Sequence, residues 1–228
     1  MNPKKFVFIC GLHRSGTSIL FKILRDQIEV SGFRNTNVPE DEGQFLQTVF
    51  RPDPAFGGVG IFGLNLASHL DEHSSLFTQE NREKLFREWS RYWDLSKPIL
   101  LEKSPPNIVR TRFLQAMFPE SYFLMTKRHP VAVSFATQAF GFNRDLDTLL
   151  QHWIFCHRKL ESDLPHLKNV LDFKYEDFIA NNQAIFDSIS NFIQCKPIKN
   201  SFRINQTTND KYFVKWLALP ESQRTNLM

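Results

Sequence analysis

Apolar and polar positions divide the chain into short apolar runs separated by amphipathic stretches. Phe6-Val7-Phe8-Ile9-Cys10 is a continuous run rich in aromatic and β-branched residues, the pattern of a strand buried on both faces. Ile99-Leu100-Leu101, Ser121 to Thr126 and Val170 to Tyr175 repeat it. After each run the period turns helical. Ile19, Leu20, Ile23 and Leu24 follow the first run, with Lys22 and Arg25 polar; Val109, Phe113, Leu114 and Met117 follow the second; Val131 to Ala139 follows the third. Further helices are predicted over Thr78 to Leu95, Leu146 to Leu160 and Asn182 to Ile193. In the first of these, Leu85, Phe86, Trp89, Tyr92 and Trp93 share one face. Glu29 to Phe33 reads as a loop or short strand, and Ser201 to Met228 as polar and loop-like apart from Tyr212, Phe213, Trp216 and Leu217. Strands alternating with helices predict one α/β domain over residues 1–228, a central parallel sheet flanked by helices.

The chemistry concentrates where these runs end. Gly11-Leu12-His13-Arg14-Ser15-Gly16-Thr17-Ser18 joins the first strand to the first helix. A strand, a glycine-bounded loop and a helix start make an anion cradle from backbone N–H groups and the helix dipole. The spacing approaches the phosphate-binding G-x-x-x-x-G-K-[ST], with Thr17 in place of the lysine and Arg14 as the only cation inside the loop. In parallel sheets ligands bind beyond the C-terminal strand ends. There stand Glu102-Lys103-Ser104 after the second run and Lys127-Arg128-His129-Pro130 after the third, with Ser134 six residues beyond Arg128. Glu40, Asp41 and Glu42 precede Gly43 and form a candidate acid/base cluster or an acidic helix start. Arg51 to Asn65 carries two prolines and four glycines and reads as a long mobile loop able to close over a ligand. Residues 51–95 are thus expected to be a substrate-covering loop and helix insertion.

Composition narrows the partners. A net charge of +4, without runs of basic residues, gives no nucleic-acid tail and suits a small anionic ligand. Cys10, Cys156 and Cys195 are odd in number and widely separated, which predicts reduced thiols and a cytoplasmic protein. No apolar run approaches 18 residues, and Met1-Asn2-Pro3-Lys4-Lys5 leads straight into the first strand, so neither a membrane segment nor a secretory signal is expected. His152 and His157 do not share a helix face, and no carboxylate follows an apolar strand where magnesium would need one, so no metal is expected.

The motifs together resemble the sulfotransferases that use 3′-phosphoadenosine-5′-phosphosulfate (PAPS), in the bacterial and Golgi-type branch. GLHRSGTS is similar to their 5′-phosphosulfate loop. KRHPVAVSF is similar to their 3′-phosphate element, LEKSPPN to the segment that places a lysine near the sulfuryl group, and KYEDF to the strand whose tyrosine lies near the nucleotide. The resemblance implies a P-loop NTPase-like sulfotransferase fold. It implies cofactor binding by Arg14, Ser15, Gly16, Thr17, Ser18, Arg128, Ser134 and Tyr175, and catalysis by Lys103 with Glu42 or Glu40 as base and Glu102 as a third candidate. The C-terminal glycine-rich nucleotide loop of the small-molecule cytosolic branch is absent, and Asn209-Asp210-Lys211-Tyr212 is a candidate replacement.

The implied reaction is in-line transfer of a sulfuryl group from PAPS to a hydroxyl or amine of a small-molecule, glycan or peptide acceptor, without metal. One rival is a P-loop kinase acting on a nucleotide or small molecule. It requires a loop lysine and a magnesium-binding aspartate, neither of which the sequence shows. The other is a non-catalytic phosphoadenosine-binding module.

Overall fold

The computed structural model describes residues 4–142, 144–200 and 202–227. Met1, Asn2 and Pro3 of the leader reading, and Ser201 and Met228 at the ends of the C-terminal stretch, lie outside them. Five strands form one parallel sheet: β1 (Lys5–Cys10), β2 (Val30–Gly32), β3 (Ile99–Lys103), β4 (Ser121–Lys127) and β5 (Val170–Lys174), in the order β2-β3-β1-β4-β5. The β1 run takes the central place, and Val7, Phe8 and Ile9 have no exposed surface. A central strand of a parallel sheet is covered on both faces, so a continuous apolar run belongs there. Register sets Phe8 against Glu102 and Ile9 against Lys103 on one side, and Cys10 against Met125 on the other. All five strands therefore point their C-terminal ends to one edge.

Helices α1 (Thr17–Arg25), α3 (Thr111–Met117), α4 (Pro130–Ala139), α5 (Leu146–Asp163) and α7 (Asn182–Ile193) follow the expected order, with Pro130 in the first turn of α4, and a short helix not expected from the sequence, α6 (Tyr175–Ala180), follows β5. Three other stretches differ from the sequence expectation. Helix α2 spans Gln79–Trp89 and stops before Leu95. Beyond it Trp93 turns inward, stacks on Phe33 at 5.1 Å and donates from Nε1 to the Leu101 carbonyl at 3.0 Å. That tertiary contact overrides local helix propensity.

The C-terminal stretch is helical rather than loop-like: α8 (Asp210–Leu217) and α9 (Glu221–Asn226). Tyr212 of α8 is buried against Val131, Ala132, Phe135 and Ala136 of α4 in a second, small core. An eight-residue helix gains its stability from such packing rather than from a long periodic pattern, which is why the sequence reads as loop.

The glycine- and proline-rich stretch forms short 3-10 turns at Asp53–Phe56, Phe62–Leu64 and Leu66–Ser68. Phe62 is fully buried. Arg110, also buried, donates from Nε to the Ser68 carbonyl and from Nη2 to the Arg51 carbonyl, with its guanidinium over Phe50 at 4.9 Å.

Trp89 ties this fold to the functional edge. It is 1% exposed, packs on Phe118 at 5.7 Å, and donates from Nε1 to the Gly43 carbonyl at 2.9 Å. Trp89→Ala is expected to lower unfolding free energy by about 3–5 kcal/mol, read by chemical denaturation. Trp89→Phe, which keeps most of the packing, should cost less. A loss below about 1 kcal/mol for Trp89→Ala would contradict the role given to this side chain.

Candidate active site

The β1–α1 loop is built to leave N–H groups free. Gly16 is the N-cap of α1 at φ 86° and offers no side chain to the first turn. Its conformation is left-handed, and a Cβ there would lie 2.5 Å from the Tyr175 ring, so only glycine fits. The loop is anchored from its neighbours: Thr126 Oγ1 donates to the Ser15 carbonyl at 3.0 Å, and Arg128 Nη1 donates to the Arg14 carbonyl at 2.5 Å. Ser15 Oγ and His13 Nδ1 are buried and have no hydrogen-bond partner among the described residues. Free N–H groups, a positive helix end and unspent polar atoms are what an anion requires.

Beside the loop, β3 delivers Glu102-Lys103-Ser104. Alternate residues of a strand face opposite ways, and here the alternation divides the labour. Glu102 and Ser104 hold backbone: Gly43 N donates to Glu102 Oε1 at 3.1 Å, Gln44 N to Ser104 Oγ at 3.0 Å, and Ser104 Oγ to Glu102 Oε1 at 2.6 Å. Asn107 Nδ2 donates to Glu102 Oε2 at 2.6 Å. Lys103, with no exposed surface, meets Glu42 Oε1 at 2.8 Å and lies 3.4 Å from Ser18 Oγ.

The candidate acids are thereby separated. Glu42 is 5% exposed, paired with Lys103, and accepts from Gln44 Nε2 at 2.7 Å. Glu40 has a half-exposed side chain 3.8 Å from Lys22. Asp41 turns away to Arg25 at 2.7 Å. Glu102 is fully buried and spends its oxygens on structural donors; burial pushes its carboxyl up to about 7.

A cavity of about 850 Å³ opens at this edge. Arg14, Thr17, Ser18, Glu40 and Glu42 line it, together with two residues the sequence left unassigned, His13 and Asp53. His13 Nε2 lies 3.5 Å from Asp53 Oδ2. Burial, reinforced by the charges of Lys103, His152 and Arg14, holds the imidazole down to about 3, so it is neutral near pH 7. Burial and the nearby Glu42 raise Asp53 to about 6. Their one sequence signal is polarity: a charged residue between two prolines, and a histidine inside an anion loop.

The second strand-end cation is arranged differently. Arg128 is 4% exposed, and Nε and Nη2 both donate to Asn209 Oδ1, at 2.9 and 2.7 Å. Its guanidinium lies 4.5 Å from the Tyr175 ring centre and 5.6 Å from that of Tyr212. Asn209 Nδ2 in turn donates to Glu176 at 2.6 Å. Tyr175 is the first residue of α6 rather than the last of a strand, and its ring closes over Gly16. Ser134 has a hydroxyl buried without a partner among the described residues, beside a small void with Leu12, His13 and His152. No cluster of three or more His, Cys, Asp or Glu suited to a metal ion occurs among the described residues. None of the helices described is long and apolar enough to cross a membrane.

Solved structures share this architecture. The sulfotransferase domain from the curacin biosynthetic pathway superposes with a TM-score of 0.61 at 14% identity, over 100% of this chain and 97% of that one. The sulfotransferase domain of the Synechococcus PCC 7002 olefin synthase gives 0.60 at 15% identity, over 99% and 94%. A Mycobacterium tuberculosis sulfotransferase gives 0.55 at 13%, over 99% and 76%. At such identities the likeness speaks to fold. No curated protein matches the sequence closely enough to count as a relative. The model of the sulfotransferase family matches residues 7–197, most of the chain, and on that match this chain belongs to the sulfotransferase family.

Proposed function

We propose that the protein transfers a sulfuryl group from PAPS to an acceptor hydroxyl, with Glu42 as general base. The observation that carries this reading is the buried Glu42–Lys103 pair, 2.8 Å apart, set against Ser18 of the anion loop. PAPS supplies the sulfuryl group and a leaving 5′-phosphate. The loop N–H groups from Gly16 to Ser18 and the Arg14 charge fit the phosphosulfate; the Ser15 N–H is spent on the Leu12 carbonyl, and its unpartnered Oγ supplies the further donor. Lys103 and Ser18 stand where charge on the bridging oxygen can be met. A preorganised donor of this type is worth roughly 3 kcal/mol in the transition state. Both Glu42 oxygens have a partner, Oε1 the Lys103 ammonium and Oε2 the Gln44 amide, and the acceptor's proton passes to a remaining lone pair of that carboxylate. Glu40 stands further out, at the rim, and Glu102 serves the scaffold.

Arg128 is assigned to the 3′-phosphate. Three of its five N–H donors go to Asn209 and the Arg14 carbonyl, which leaves two for an anion. Tyr175, stacked on that guanidinium and on Gly16, forms the adjoining wall. Ser134, whose buried hydroxyl has no partner among the described residues, is assigned to the 3′-phosphate with Arg128. The 51–68 turns cover the acceptor side of the cavity through Asp53, Gly57 and Gly58.

Calorimetric titration with adenosine 3′,5′-bisphosphate, beside ATP with magnesium, tests the donor. The bisphosphate should bind, ATP with magnesium should bind far more weakly, and Arg128→Ala should weaken the bisphosphate by about tenfold or more, as loss of a charge-assisted contact does. Preference for ATP with magnesium would overturn the reading in favour of a kinase. Glu42→Gln should lower kcat by about 10²–10⁴ while the bisphosphate binds at least as well, since the freed Lys103 charge favours an anion in the loop. Unchanged turnover in Glu42→Gln would remove this residue from the role of base.

A further inference from the structure

Several apolar residues of the cavity have no part in the sulfuryl chemistry. Phe45, Phe140, Phe142 and Phe202 line it, with Val59 and Pro105. Phe140 and Phe142 stack with centroids 6.1 Å apart, and Phe140 is 63% exposed. Aromatic surface at the mouth of a pocket is recognition surface: rings stack there, and few polar groups suffice to orient them.

The charges point the same way. Among the described residues, three cations (Arg14, Lys22, Arg144) and three acids (Glu40, Glu42, Asp53) line the cavity. Lys22 faces Glu40, Arg144 donates to the Gly57 carbonyl, and the Arg14 guanidinium lies 4.7 Å from the Phe140 ring centre. The anionic donor draws on Arg14 and Lys103. No positive surplus is left for a polyanionic acceptor, and each acid turned toward the cavity repels one.

We infer that the acceptor is a small, uncharged aromatic alcohol of one or two rings, packed on Phe45, Phe140 and Phe142 with its hydroxyl at Glu42. This rests on the sulfuryl-transfer reading above. In the step, the acceptor oxygen forms a bond to sulfur and its proton passes to Glu42. The bond from sulfur to the bridging oxygen breaks, and its electron pair leaves on the 5′-phosphate. Asp53 and His13 lie on the same side as the 51–68 turns and supply the few polar contacts such a ring system needs.

The test compares 2-naphthol with an uncharged N-acetylglucosamine disaccharide and a sulfated one, each with PAPS and the full-length chain, by sulfate-ester formation. The expected kcat/KM for 2-naphthol exceeds that of either glycan by about 100-fold or more, the scale of discrimination an apolar pocket can provide. Phe142→Ser should raise KM for 2-naphthol by about tenfold with kcat nearly unchanged, the mark of lost uniform binding. Val59→Trp, which narrows the cavity, should do the same for two-ring acceptors more than for phenol. In both variants the affinity for adenosine 3′,5′-bisphosphate should match the wild type, which controls for folding. If the bisphosphate binds and the glycans are used as well as 2-naphthol, or no aromatic alcohol is sulfated, the acceptor inference is overturned while the donor reading stands. If the bisphosphate does not bind, both fall.

Discussion

The pairing of Lys103 with Glu42 is the constraint on which the functional edge depends. Lys103 has no exposed surface, and an ammonium removed from water needs a counter-charge within reach. That requirement dictates where residues 42–44 go. The segment is clamped from three directions: by Glu102 at Gly43 N, by Ser104 at Gln44 N and by Trp89 at the Gly43 carbonyl. A Cβ on Gly43 would lie 2.5 Å from Glu102 Oε1, so the approach admits no side chain. One strand end thus places a cation toward the cavity and uses the residues on either side of it as struts. Removing one partner of such a pair leaves a buried, uncompensated charge, which costs far more than the pair contributes.

Two groups of residues at this edge are built on different principles. Around Lys103 they lie at the end of β3, in residues 42–44 and in the first turn of α1, and backbone geometry holds them. Around Arg128 they come from distant parts of the chain: Tyr175 and Glu176 from the start of α6, Asn209 and Tyr212 from the C-terminal segment. Packing of Tyr212 on α4 fastens the C-terminal segment there. The anion loop sits between them and is touched by both, through Lys103 at Ser18 and Arg128 at the Arg14 carbonyl.

The sheet was legible because its signal is local. Buried parallel strands read as apolar runs, and the glycine-bounded loop after β1 declares itself within eight residues. Lys103 was legible as a charge stranded at a strand end. Which of Glu40, Glu42 and Glu102 pairs with Lys103 was not, because Glu42 lies 61 residues from it along the chain. Neither was Asn209, 81 residues from Arg128, although its neighbourhood stood out as a candidate replacement for a missing loop. The C-terminal helices were misread because they span only eight and six residues, although Tyr212, Phe213 and Trp216 lie at helical spacing and join the small core on α4. The anchoring of the 51–68 stretch by Arg110 was not legible, because nothing local marks that residue as its staple. In each case a contact between distant residues decided the outcome.

The central claim is that Glu42 and Lys103 act as one unit in the chemical step. Single-turnover sulfuryl transfer in wild type, Glu42→Gln, Lys103→Met and the double variant tests it directly. If the pair is one unit, the double variant is about as slow as the slower single variant, because the second change removes nothing that still functions. Losses that simply multiply would show two independent contributions and contradict the account.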